Sequence, residues 1–99
     1  MSYAGAPSGN FDTPPRFISG HAPVYPITQV QAGHAGEATI DFTVDIEGHT
    51  TDFRVVSTTY PYFASHAILA IQKWKFEPGK KNGKPVPVRI RLPISYIMR

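Results

Sequence analysis

Cysteine is absent from the 99-residue chain, so neither a disulfide framework nor a thiolate metal site is available to it. A cysteine-free chain suits reducing and oxidising compartments alike. Long apolar runs are also missing: no stretch reaches the ~18 residues that a membrane-spanning helix needs. The opening residues, Met1 to Asn10, lack the charged and apolar regions of a secretory signal. They read as a linker, and any targeting segment is expected to have lain upstream of Met1. Acid is scarce in one half. Residues 53–99 set nine cations against Glu77 alone, whereas residues 1–52 set Arg16 against Asp12, Glu37, Asp41, Asp45, Glu47 and Asp52. Such asymmetry points to an acidic partner or to two halves that neutralise each other on folding.

What is present is the composition of one folded domain. Hydrophobic residues make up 41% and aromatics 12%, too apolar for a disordered chain. We expect a flexible lead over residues 1–13 and a domain over 14–99. Pro14 to Gly20 offers a short edge strand after its prolines. Pro26 suits a helix start and Gly33 its stop, with Ile27 and Val30 as the apolar pair that must pack on something. From Glu37 to Ile46 the pattern alternates, with Ala38, Ile40, Phe42, Val44 and Ile46 on one face. That is a half-buried strand. A turn at Glu47-Gly48-His49 returns the chain as a second strand over Asp52 to Ser57.

Pro61 opens a second helix. Phe63, Ala67, Ile68, Ala70, Ile71 and Trp74 recur at helical spacing, and Lys73 and Lys75 complement the dipole at its end. Glu77 to Lys84 reads as a loop from its Gly, Pro and Asn content. The final strand alternates once more, with Val86, Val88, Ile90, Leu92, Ile94, Tyr96 and Met98 on its core face. Together these elements predict an α+β fold: a small antiparallel sheet of three or four strands with two helices on one face.

Pro85, Pro87 and Pro93 occupy only odd positions of that strand. Alternate residues of a strand aim their N–H and C=O groups at opposite neighbours. A proline toward a central partner would break the ladder, so the odd side faces outward and the strand lies at an edge. Arg89, Arg91, Ser95 and Ile97 then keep outward N–H groups. Two readings stay open: a blunted edge that resists aggregation, or a rim that takes an extended peptide as an added strand.

Chemistry of other kinds finds little support. His21, His34, His49 and His66 match no metal-ligand spacing, and three of them fall in loops. No nucleophile elbow or phosphate loop occurs. Asp41 and Asp45 lie about 13 Å apart at ~3.3 Å per residue, too far for a carboxylate pair. We therefore expect no enzyme, no cofactor and no metal. Asp41 and Asp45 instead suit a cross-strand meeting with Arg89 and Arg91. The Lys80, Lys81 and Lys84 cluster is a solvated loop or touches an acidic partner or membrane surface. A basic nucleic-acid-binding domain is the less favoured alternative, since no RNP-like motif or recognition helix accompanies the charge.

One combination is specific. Pro23-x-Tyr25-Pro26, Gly36, Asp45-x-x-Gly48, Ser57, Phe63, Ala67, Trp74-x-Phe76-x-Pro78 and Gly83-x-Pro85-Val86 occur in this order. Over residues 14–98 the chain resembles the C-terminal domain of the TonB/TolA family. The resemblance implies a periplasmic domain, joined by a linker and one membrane helix to the inner membrane and to a proton-motive complex there. It implies capture of an extended segment, the TonB box, of an outer-membrane transporter along the last strand. The implied partner-binding residues are Val88, Arg89, Ile90, Arg91, Ser95, Tyr96 and Ile97, with Pro23, Tyr25 and Pro26 nearby. A TonB-fold module of a sensor without energy coupling, and a strand-exchanged homodimer, are both left open.

Overall fold

The computed structural model describes residues 5–97. Its main sheet has four antiparallel strands in the order β1-β8-β3-β4. These are β1 (Ala6–Ser8), β3 (Gly36–Val44), β4 (Thr50–Thr58) and β8 (Val88–Tyr96). Two helices, α1 (Ile27–Ala32) and α2 (Pro61–Ile71), complete the expected α+β arrangement. Two ribbons flank the sheet: β2 (Arg16–Ser19) with β5 (Lys75–Glu77), and β6 (Gly79–Lys81) with β7 (Lys84–Val86).

The period-two reading places the core where it is found. Ala38, Ile40, Phe42 and Val44 from β3 meet Val88, Ile90, Leu92 and Tyr96 from β8, all buried. Phe63, Ala64, Ala67 and Ile71 of α2 close over them, with Trp74 and Phe76 beyond the helix end. Ile46, expected on this face, is 55% exposed, because the chain leaves the strand after Val44 to turn. Met98 lies outside the described residues.

Four elements differ from expectation. Helix α1 runs between Pro26 and Gly33, yet Ile27 and Val30 are exposed and Gln29 is the buried residue. Its amide oxygen meets Nδ1 of His34 at 2.8 Å, so the buried side chain finds a polar partner just past the helix end. Strand β4 carries two register shifts against β3, and Asp52 has φ 53° at one of them. Such bulges twist an edge, and Val55 and Val56 stay exposed there.

Third, residues 79–86 form a tight hairpin rather than a loop. Asn82 and Gly83 sit at φ 53° and 78°, the paired left-handed conformation of a two-residue turn. The Asn-Gly pair signals this, but the short arms carry no alternating pattern to support it. Fourth, the described part of the lead is not free. Residues 6–8 pair with β8, and Asp12 accepts bonds from the Asn82 N–H at 2.6 Å and Lys81 Nζ at 3.2 Å. Small polar residues announce no propensity, but strand pairing is made by the backbone. Met1 to Ala4 lie outside the described residues.

Candidate strand-accepting rim

Pro93 fixes which way β8 presents its backbone. Pro93 stands opposite Thr39 of β3 and has no N–H to give, so odd residues direct their groups away from β3. The structure fills part of that outer rim from within the chain. Ala6 lies opposite Arg91, Pro7 opposite Ile90 and Ser8 opposite Arg89, antiparallel. The prolines place the terminal strand at an edge; over residues 89–91 it is instead one strand in. Beyond Arg91 the rim reaches Pro93, where a pairing strand finds no donor. Among the described residues no strand pairs with the rim at Ser95.

The candidate residues divide by side chain and backbone. Val88, Ile90 and Tyr96 are buried, so their side chains belong to the core, and as even residues they direct their backbone groups toward β3 rather than to the rim. Arg91 is exposed, as are Ser95 and Ile97. Tyr96 stacks on Phe63 with ring centroids 4.4 Å apart and donates its hydroxyl to the Phe63 carbonyl at 2.9 Å. Burial pushes its phenol up to about 12. Folding therefore favours the neutral phenol, and this stabilisation is complete below the ordinary phenol range near ~10 and lost as pH rises toward the folded value. Tyr96→Phe is expected to remove that alkaline loss, measured as unfolding temperature against pH.

Tyr25 lies edge-on to Phe63 and Tyr96, at 5.7 and 5.5 Å, and its hydroxyl donates to the His34 carbonyl. Pro26 is fully buried. Thus Tyr25 comes to the C-terminal end of β8, with Pro23 and Pro26 beside it in sequence, whereas Arg89 and Arg91 lie toward its other end. Tyr96 lies five positions beyond Arg91, about 17 Å at ~3.3 Å per residue. The two groups of candidates share one strand but not one spot.

The face of the sheet opposite the helices carries the charge. Asp41 stands directly across from Arg91, and their fork-to-fork pairing has Nε to Oδ1 at 2.9 Å and Nη2 to Oδ2 at 3.0 Å. Arg89 stands across from Thr43, donates to its hydroxyl at 3.1 Å and also reaches the Asp52 carbonyl. Asp45 joins neither arginine; its carboxylate accepts the Glu47 and His49 N–H groups in the turn, each at 2.9 Å. The hydrogen bond from Arg91, aided by the charges of Arg91, Arg89 and Arg54, holds the Asp41 carboxyl below the usual range against the opposing effect of burial. Asp41–Arg91, with Asp12–Lys81, thus joins acid of the first half to base of the second inside the fold.

A carboxyl depressed on folding stabilises the native state above the ordinary carboxylate range and ceases to do so as pH falls through its folded value. Asp41→Asn is expected to lower the unfolding temperature at neutral pH. The gap from the unsubstituted chain should narrow below about pH 4. A gap that persists unchanged at lower pH would refute the pairing as its source.

The histidines are dispersed. His34 stacks on Tyr60 at 4.3 Å, His21 gives its carbonyl to the Trp74 indole N–H at 2.8 Å, and among the described residues no cluster with metal-ligand geometry occurs. No helix among them is long and apolar enough to cross a membrane. A small antiparallel sheet with two helices defines an α+β domain whose terminal strand is paired only in part along its outer side among the described residues. The family model "Gram-negative bacterial TonB protein C-terminal" matches residues 21–98, and the chain belongs to that family.

Relatives agree. The chain is 30% identical over 77 residues to Protein TonB of Xanthomonas campestris pv. campestris strain B100, covering 77% of this chain and 34% of that protein. It is 33% identical over 85 residues to Protein TonB of Pseudomonas aeruginosa PAO1, covering 84% of this chain and 25% of that one. It therefore spans a quarter to a third of the curated relatives it matches. The solution NMR structure of the Pseudomonas aeruginosa TonB C-terminal domain superposes with a TM-score of 0.77 at 25% identity, covering 89% of this chain and 90% of that one.

Proposed function

We propose that this domain is the periplasmic receiving end of a TonB-type energy transducer. It captures an extended segment of an outer-membrane transporter, the TonB box, as an added strand along β8. A membrane anchor and linker outside this sequence connect it to an inner-membrane proton-motive complex. Binding rather than catalysis is its task. The observation that carries this reading is β1 itself: the outer rim of β8 accepts an antiparallel strand whose central residue is proline. Backbone pairing supplies the grip in such complexes, and flanking side chains select the guest. A short added strand suits affinity near micromolar, about −8 kcal/mol, weak enough for release.

The test is a titration of the isotope-labelled chain with a synthetic peptide carrying the TonB box of an outer-membrane transporter from the same organism. Amides of Arg89, Arg91, Ser95 and Ile97 should shift together. Ser95→Pro deletes one outward donor from an exposed position, and loss of one backbone hydrogen bond, ~0.5–1.5 kcal/mol, weakens binding by about three- to tenfold. Shifts confined to β4 or α2, with the β8 rim silent, would refute this docking mode.

A further inference from the structure

We infer that β1 is a built-in competitor for the β8 rim, holding the place of a guest strand until one displaces it. This rests on the capture reading above and adds its regulation and selectivity. Four observations carry it. The register sets residues 6–8 on the same outward rim of β8 that an added strand needs. Their hold is backbone pairing: all three residues are exposed, and among the described residues none of their side chains makes a hydrogen bond or ion pair. The strand is only three residues long, with Ala6 and Ser8 facing β8 and Pro7 directed away from it, so few bonds hold it.

The attachment also has a hinge. Asp12 binds Lys81 and the Asn82 N–H, and the Thr13 N–H donates to the Lys80 carbonyl at 3.1 Å. The lead is therefore fastened to the β6–β7 hairpin from Asp12 onward, and only Gly9, Asn10 and Phe11 join that anchor to β1. Gly9 has φ 124° with open space around it. Release of β1 can pivot there while the rest of the fold stays as it is. So short a tether keeps the competing strand at an effective concentration in the millimolar range.

Finally, β1 fills its seat incompletely. Ala6, Pro7 and Ser8 leave a hollow against Asp41, Arg89 and Arg91. Ala6 and Ser8 are the cross-strand neighbours of Arg91 and Arg89, and side chains directly opposite share a face. Arg91 has its carboxylate in Asp41. Among the described residues Arg89 bonds a hydroxyl and a carbonyl and no carboxylate. The favoured guest is therefore an extended segment with an acidic side chain in the place of Ser8, opposite Arg89, and any residue, proline included, opposite Ile90.

The test uses the full chain and its Ala6→Pro/Ser8→Pro variant, which removes the outward-pairing donors of β1 without touching β8. The probe is a synthetic peptide copying residues 3–10, plain or with Ser8→Glu. The Trp74 near-ultraviolet signal checks that both proteins remain folded. In the unsubstituted chain the Arg89 and Arg91 amides should be protected from hydrogen exchange, and in the variant unprotected. The peptide should bind the variant about tenfold more tightly, as expected if about one molecule in ten is open at rest. The Glu peptide should bind more tightly than the plain one, with the advantage shrinking in salt.

Equal binding to both proteins would overturn the competitor role and leave capture standing. Equal exchange in both would show that β1 does not hold the rim. Binding to neither, with the variant's rim open, would overturn capture and the inference together. A doubled mass in sedimentation would assign the strand to a second copy and overturn the intramolecular device.

Discussion

Trp74→Ala is expected to leave the domain barely folded. The indole is 2% exposed, with Phe17 edge-on at 5.2 Å and Phe76 at 6.4 Å. Its N–H donates to the His21 carbonyl and so fastens the segment leading to Pro23 onto the end of α2. Truncating a buried tryptophan costs ~3–5 kcal/mol, a large share of the ~5–15 kcal/mol that a domain of this size holds. At about 4–8 °C per kcal/mol, thermal unfolding followed by circular dichroism should shift down by about 15–30 °C. Trp74→Phe keeps most of the packing and loses the indole donor, so it should fall well short of that. An unchanged unfolding temperature for the alanine variant would refute the central place given to Trp74.

Gly48→Ala is the second large effect. Gly48 has φ 84°, and a Cβ built there would stand 1.9 Å from the Phe76 carbonyl oxygen. Its own carbonyl accepts the Phe76 N–H at 3.1 Å, so turn and strand cannot part without losing a bond. Left-handed backbone costs a non-glycine residue ~1–2 kcal/mol, and the clash with backbone adds to it. Gly83 provides the comparison: φ 78°, but nothing within 4 Å of its would-be Cβ. Gly83→Ala should therefore cost only the conformational part. Urea midpoints of the two variants measured side by side decide this, and equal losses would show that the contact with Phe76 does not matter.

The contrast between these glycines shows where sequence reading stops. Both have positive φ in segments that local composition marks as turn or loop, Asp45-Ile46-Glu47-Gly48 and Glu77 to Lys84. Only the fold brings Phe76 against one of them, and no local pattern separates the two. The helix between Pro26 and Gly33 behaves similarly. Its boundaries are written in punctuation residues, but its buried residue is Gln29, because the contact it makes is with His34 rather than with an apolar surface. The candidate rim divides in the same way. Its direction follows from Pro93 alone, since Pro85 belongs to β7 and Pro87 lies between the two strands, and the Asp41–Arg91 pairing follows from shared faces across two alternating strands.

What the chain alone determined is therefore the part governed by short periods: strands of period two, a helix facing them, the core they share, and the side on which β8 offers its amides. These are properties of neighbouring residues and survive without knowledge of distant ones. The occupation of that rim by Ala6, Pro7 and Ser8 was decided only in three dimensions. Strand pairing there joins backbone to backbone across more than eighty residues of chain, and a peptide group carries no mark of the partner it will meet.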